Sequence, residues 1–195
     1  MTAGDALLEA ALAHHRQPHR AYHDARHVQE LLELAQVHAP NLTEAERLAI
    51  LFHDAVYVPG APKGENEGLS ALLMRATVFA LAHAGIAPAP ADAVIADADT
   101  IIRATTHAEP PPALAARMCD LDLWRLAAPW DDFVRHGEDI RYEFRYLHPS
   151  DDAFWAARHA FYRSMLQKQA LFATDYFRDR FEARARANLS RAIAT

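Results

Sequence analysis

The 195-residue chain has a single cysteine, Cys119. That excludes an internal disulfide and any zinc site built from several thiolates. Positive charge is also scarce. Lys and Arg number 20 against 26 Asp and Glu, for a net charge of −6 with histidine neutral, which argues against nucleic acid as the main partner. Arginines gather near the C-terminus, but acids interleave them, as in Arg178-Asp-Arg-Phe-Glu-Ala-Arg184, the pattern of a solvated helix face. No apolar run reaches the roughly 18 residues that a membrane span needs, and the best candidate is broken by Arg75. The first residues carry acids where a secretory signal would carry positive charge. A cytoplasmic protein with no membrane segment is expected. Strand-like alternation of β-branched residues is almost missing as well.

What remains is ordinary for a soluble globular domain: 51% hydrophobic and 24% charged residues. The length suits one domain over residues 1–195, and nothing in it excludes a homodimer. Ala, Leu, Glu and Arg dominate, and apolar residues recur at three-to-four spacing, so an all-α fold is expected. The helices fall at about 5–16, 20–38, 44–57, 66–84, 92–106, 130–146, 151–169 and 175–194, with one or two short helices around Cys119–Trp124. Thr43 and Glu46 have the spacing of a capping box. Asn66 reads as an N-cap, with Glu67 favouring the first-turn dipole.

Twelve histidines are many for this length. One of them forms a His53-Asp54 doublet inside an apolar run (Leu48, Ile50, Leu51, Phe52, Val56). A carboxylate there is costly unless a cation or hydrogen bonds hold it. Its neighbouring imidazole adds a nitrogen donor, so the pair presents one N and one O to a hard or borderline metal. On the second helix His23 and His27 are i, i+4 neighbours. Downstream, Asp120-Leu-Asp122 supplies further carboxylates.

A histidine, then His-Asp, then an aspartate, in that order on separate helices, resembles the HD superfamily of metal-dependent phosphohydrolases. The likeness extends to Arg20-Ala-Tyr-His23 with His27, Phe52-His-Asp-Ala-Val-Tyr57, Asn66-Glu67 with Ser70-Ala71, Thr105-Thr-His107, Asp120-Leu-Asp-Leu123, Ile140-Arg141 with Glu143, and Ala185-Arg-Ala-Asn-Leu189. These look like the small bacterial predicted metal-dependent HD superfamily hydrolases, over nearly the whole chain.

The resemblance implies an HD-type helical bundle holding one divalent cation (Mn, Zn, Mg, Co, Ni or Fe) on His23, His53, Asp54 and Asp122. Asp120 is the alternative to Asp122, its other reading being an N-cap. In the resembling sequences a small residue stands where this chain has Leu121, which would crowd the site. The implied activity is hydrolysis of a small-molecule phosphate ester, a nucleotide being the default. Glu67 or Asp54 would act on the attacking water. Arg20, His27, Arg103, His107 and Arg141 are candidates for substrate contact, since guanidinium matches phosphate bidentately. Two rivals stand beside this reading: a metal-containing ligand-binding or sensor module with little turnover, and a diiron oxygenase drawing on His83 and His107.

Overall fold

In the computed structural model of the chain, which describes residues 2–194, the capping box forms as its residues require. Thr43 Oγ1 accepts from the Glu46 N–H at 3.2 Å, and the Glu46 carboxylate accepts from the Thr43 N–H at 2.8 Å. They start helix α3 (Glu44–Phe52), in which Leu48, Ala49, Ile50, Leu51 and Phe52 are all buried. After the charged first turn this run is apolar on every side, as suits a helix in the middle of a fold. α3 packs against α1 (Ala3–His15), α2 (Ala25–His38), α4 (Glu65–His83), α5 (Asp92–Ala104) and α6 (Ala116–Leu123). α7 (Trp130–Phe144), α8 (Asp151–Gln167) and α9 (Asp175–Ala192) complete the bundle, α8 lying against both α7 and α9. Among the described residues there are nine α-helices and no strand, so the all-α expectation holds. Among the same residues no helix is long and apolar enough to cross a membrane.

Several element boundaries differ from the sequence reading, and two of the differences move site residues. α2 begins at Ala25, not near Arg20, because Asp24 caps it by accepting from the N–H groups of Arg26 and His27. His23 therefore lies before the helix and His27 in its first turn. α3 ends at Phe52, with His53 as its C-cap and Asp54 in the following turn. The carbonyls that would continue it are diverted: Arg20 donates to the backbone oxygens of Asp54 at 2.6 Å and Ala55 at 2.9 Å. Ser70 holds both the N–H and the C=O of Val56. Asn66 is not an N-cap. Gly64, at φ 86°, takes that position, and the Asn66 side chain instead pairs with the N–H and C=O of Val58.

His15 ties α1 to the end of α3. Its Nε2–H donates to the Leu51 carbonyl at 3.0 Å, and the ring is fully buried. Burial pushes this imidazole down to about 4. Its folded-state pKa thus lies below the ordinary 6.5, so the neutral form stabilises the fold at neutral pH. That contribution is lost as pH falls from 6.5 towards 4, up to about 3 kcal/mol. Urea unfolding at pH 7.5 and pH 4.5 should show the loss, and His15→Gln should lose less between those two pH values than the wild type. An equal pH dependence in both proteins would contradict this role.

Candidate metal centre

Where α3 ends, the His53 ring points into the protein. Its Nδ1–H donates to the Ile50 carbonyl at 3.2 Å, which turns Nε2 toward the cluster as the nitrogen open to a metal. His27, in the first turn of α2, brings its own Nε2 to 3.2 Å from that of His53. Both rings are buried. The doublet's Asp54 places Oδ2 at 2.9 Å from His53 Nε2 and 3.8 Å from His27 Nε2. From α6, Asp122 Oδ1 stands 3.3 Å from His27 Nε2 and 3.6 Å from His53 Nε2. The other Asp122 oxygen is 2.8 Å from His107 Nε2.

These spacings fit a common cation. Donors about 2.0–2.2 Å from one ion stand about 3.0–3.5 Å apart around it. Two imidazole nitrogens and two carboxylate oxygens suit borderline and hard divalent ions alike. The buried trio His27, His53 and Asp54 can hold a metal ion, and Asp122 supplies a fourth donor from a separate helix. The electrostatics agree. Burial raises the Asp54 and Asp122 carboxyls, but the surrounding imidazoles overcome it and hold both below their ordinary value. Burial depresses His27, while for His53 the two carboxylates outweigh burial and raise it. The group as a whole attracts positive charge. His27 Nδ1 is buried without a partner among the described residues, so the ring is held from its Nε2 side alone.

His23 sits apart from this set. Glu143 Oε1 accepts from the N–H groups of Ala21, Tyr22 and His23 at 2.8–2.9 Å, and Oε2 takes the His23 Nδ1–H at 2.6 Å. The ring stacks on Tyr57 at 3.7 Å, 6.3 Å from the His27 ring. Burial raises the Glu143 carboxyl, but His23 and the backbone donors bring it down to about 2. The geometry gives the place expected of His23 to His27, and makes His23 a carboxylate-held imidazole beside the cluster.

The two aspartates of α6 have separate jobs. Asp120 is fully buried and accepts from the N–H groups of Ala173 and Thr174 and from the Thr174 hydroxyl, at 2.6–2.8 Å. Burial raises its carboxyl, and these donors oppose the rise. It anchors the approach to α9, with no oxygen turned to the cluster. Asp120→Ala should cost about 3 kcal/mol or more in unfolding free energy, because it strands buried donors, and should leave metal content unchanged. Loss of metal without loss of stability would reverse the two roles. Leu121 is packed in the apolar core.

Three arginines expected to meet substrate are occupied by the chain itself. Arg20, 6% exposed, braces the carbonyls of His23, Asp54 and Ala55. Arg103 pairs with Asp99, and Arg141 with Glu138 and Asp151. Arg158 of α8, which the sequence reading passed over, is different. Its Nε donates to Tyr162 Oη, its guanidinium lies over Phe161 and Tyr162, and it has no carboxylate partner among the described residues. It lies close enough to Tyr22 and Tyr57 to counter the rise that burial imposes on both phenols. Glu67 is half-buried on the first turn of α4, and its carboxylate has no hydrogen bond or ion pair among the described residues. His83 is exposed at the other end of that helix.

No protein-family model matches the chain, and no curated protein or solved structure matches it.

Proposed function

We propose that this chain is a metal-dependent phosphohydrolase with an HD-type helical bundle, acting on a small-molecule phosphate ester, with a nucleotide as the first substrate to try. The convergence of His27, His53, Asp54 and Asp122 from three parts of the bundle carries the reading. It is supported by the His23–Glu143 pair beside them. A divalent cation held by the four would act as a Lewis acid on the phosphoryl group and acidify a water.

The chain's own groups supply the remaining steps. Water attacks phosphorus and gives its proton to a carboxylate, either the second Asp54 oxygen or Glu67, which has no other partner among the described residues. The phosphorus–oxygen bond to the organic group breaks, and that oxygen takes the proton from His23 Nε2. Glu143 steadies the imidazole in both charge states. The Arg158 guanidinium, which has no carboxylate partner among the described residues, would meet phosphate charge, in the role the sequence reading gave to Arg20, Arg103 and Arg141.

The purified protein, supplied in turn with Mn, Co, Mg, Ni and Zn, should release phosphate from at least one member of a panel of nucleotides and phosphate esters. Absence of turnover with every metal, combined with tight binding of one compound, would favour the sensor module. His107 beside Asp122 keeps the oxygenase alternative in view, although exposed His83 contributes nothing to it. Turnover is expected to be equal in air and under anaerobic conditions. A requirement for dioxygen would overturn the hydrolase reading.

A further inference from the structure

A cavity of about 850 Å³ is lined in part by His107, whose Nε2 stands 2.8 Å from the Asp122 carboxylate of the cluster. Pro110, Pro111, Leu123, Ala170, Leu171 and Phe172 supply its apolar part, somewhat over half of the wall. Polar groups on it are mostly spent. Asp120 is taken by Ala173 and Thr174, and Arg178 by the carbonyls of Phe172 and Ala173 and by Asp175. Two charged groups are exceptions: Glu109, which is exposed and without a partner among the described residues, and Lys168. Its ammonium donates to the His107 carbonyl at 3.0 Å and has no carboxylate partner among the described residues. An ammonium has three donors, so two remain for a ligand.

His107 is itself held in an uncommon state. Its φ is 50°, the one positive value outside glycine among the described residues. For a non-glycine residue this conformation is unfavourable and persists where its surroundings impose it. Here the Lys168 ammonium on its carbonyl and the Asp122 carboxylate on its ring hold it from both sides. The same residue therefore connects an ammonium on the cavity wall to a proposed metal ligand. The volume is within the range of small-molecule sites and far exceeds what a bare phosphate fills.

We propose that this cavity is the leaving-group site. It takes the organic part of the phosphate ester, bulky and largely apolar, and Lys168 meets an anionic substituent on it. The assignment rests on the phosphohydrolase reading and adds the class of ester: large hydrophobic leaving groups with a second negative charge.

The test is calorimetric binding to the manganese-loaded protein, which needs no turnover. The probes are methyl phosphate, phenyl phosphate, 2-naphthyl phosphate and a sulfonated 2-naphthyl phosphate. Affinity should rise by more than about tenfold from methyl to naphthyl as apolar surface is buried, and again with the sulfonate. Ala170→Trp, which fills the cavity, should remove the gain with size, methyl phosphate giving the baseline in each protein. Lys168→Met keeps the wall and should weaken only the sulfonated ester, by about tenfold. Affinity that does not change with ester size, or a gain that survives Ala170→Trp, overturns the cavity assignment alone. Failure of every ester to bind a protein that holds manganese overturns the phosphohydrolase reading with it.

Discussion

His27→Ala is expected to release the bound cation, and His23→Ala to retain it. The two imidazoles are one helical turn apart in sequence and have opposite surroundings. His27 Nε2 is 3.2 Å from His53 Nε2 and 3.3 Å from Asp122 Oδ1, so its loss removes one of four converging donors. Even the outer partners of metal ligands are worth about 10–100-fold in affinity, and a direct ligand should exceed that. His23 has its Nδ1 on Glu143. Its removal should leave metal content intact and lower kcat by about 10²–10⁴-fold, the usual worth of a positioned acid. Equilibrium dialysis with manganese, run beside kinetics on each variant, separates the two. Metal kept by His27→Ala and lost from His23→Ala would restore the assignment first made from sequence.

Glu143→Gln should have the second large effect, and its character is diagnostic. A glutamine oxygen can still receive the three backbone N–H groups now on Oε1, so the loop before α2 should stay folded. The amide nitrogen, however, would face His23 Nδ1 and can only donate to it, which removes the negative charge that supports an imidazolium. Hydrolysis should fall by about 10²–10⁴-fold for alkyl phosphates, whose leaving oxygen needs a proton. For p-nitrophenyl phosphate, whose leaving group departs as an anion, the fall should be much smaller. Equal losses on both kinds of ester would make Glu143 a structural anchor and nothing more.

Much of this was legible in the residues. The three-to-four spacing of apolar positions marks the helices, and the run Ile50-Leu-Phe-His-Asp marks a doublet placed where a charge is costly. The choice between His23 and His27 turned on where α2 starts. Asp24 is a strong N-cap residue type and stands between them; read that way, it places His27 in the first turn and His23 outside. Glu143 also left a trace, as an acid on the buried stripe of Phe133, His136 and Ile140 in α7. Other features depend on tertiary contact alone. Nothing near Arg20 in sequence shows that its guanidinium ends on carbonyls of Asp54 and Ala55, 34 and 35 residues away. Nor does the neighbourhood of Asp120 show that it binds the turn at Ala173 and Thr174. Arg158 was overlooked for the converse reason: sequence cannot show that a cation lacks a partner.

The central claim is that one divalent cation is bound by His27, His53, Asp54 and Asp122, and X-ray absorption on the zinc- or manganese-loaded protein tests it most directly. The account predicts one ion per chain, with two imidazole nitrogens and carboxylate oxygens in its coordination sphere. In His53→Ala the ion should be lost or bound with fewer imidazoles. A spectrum without imidazole scattering, or one unchanged by His53→Ala, would contradict it.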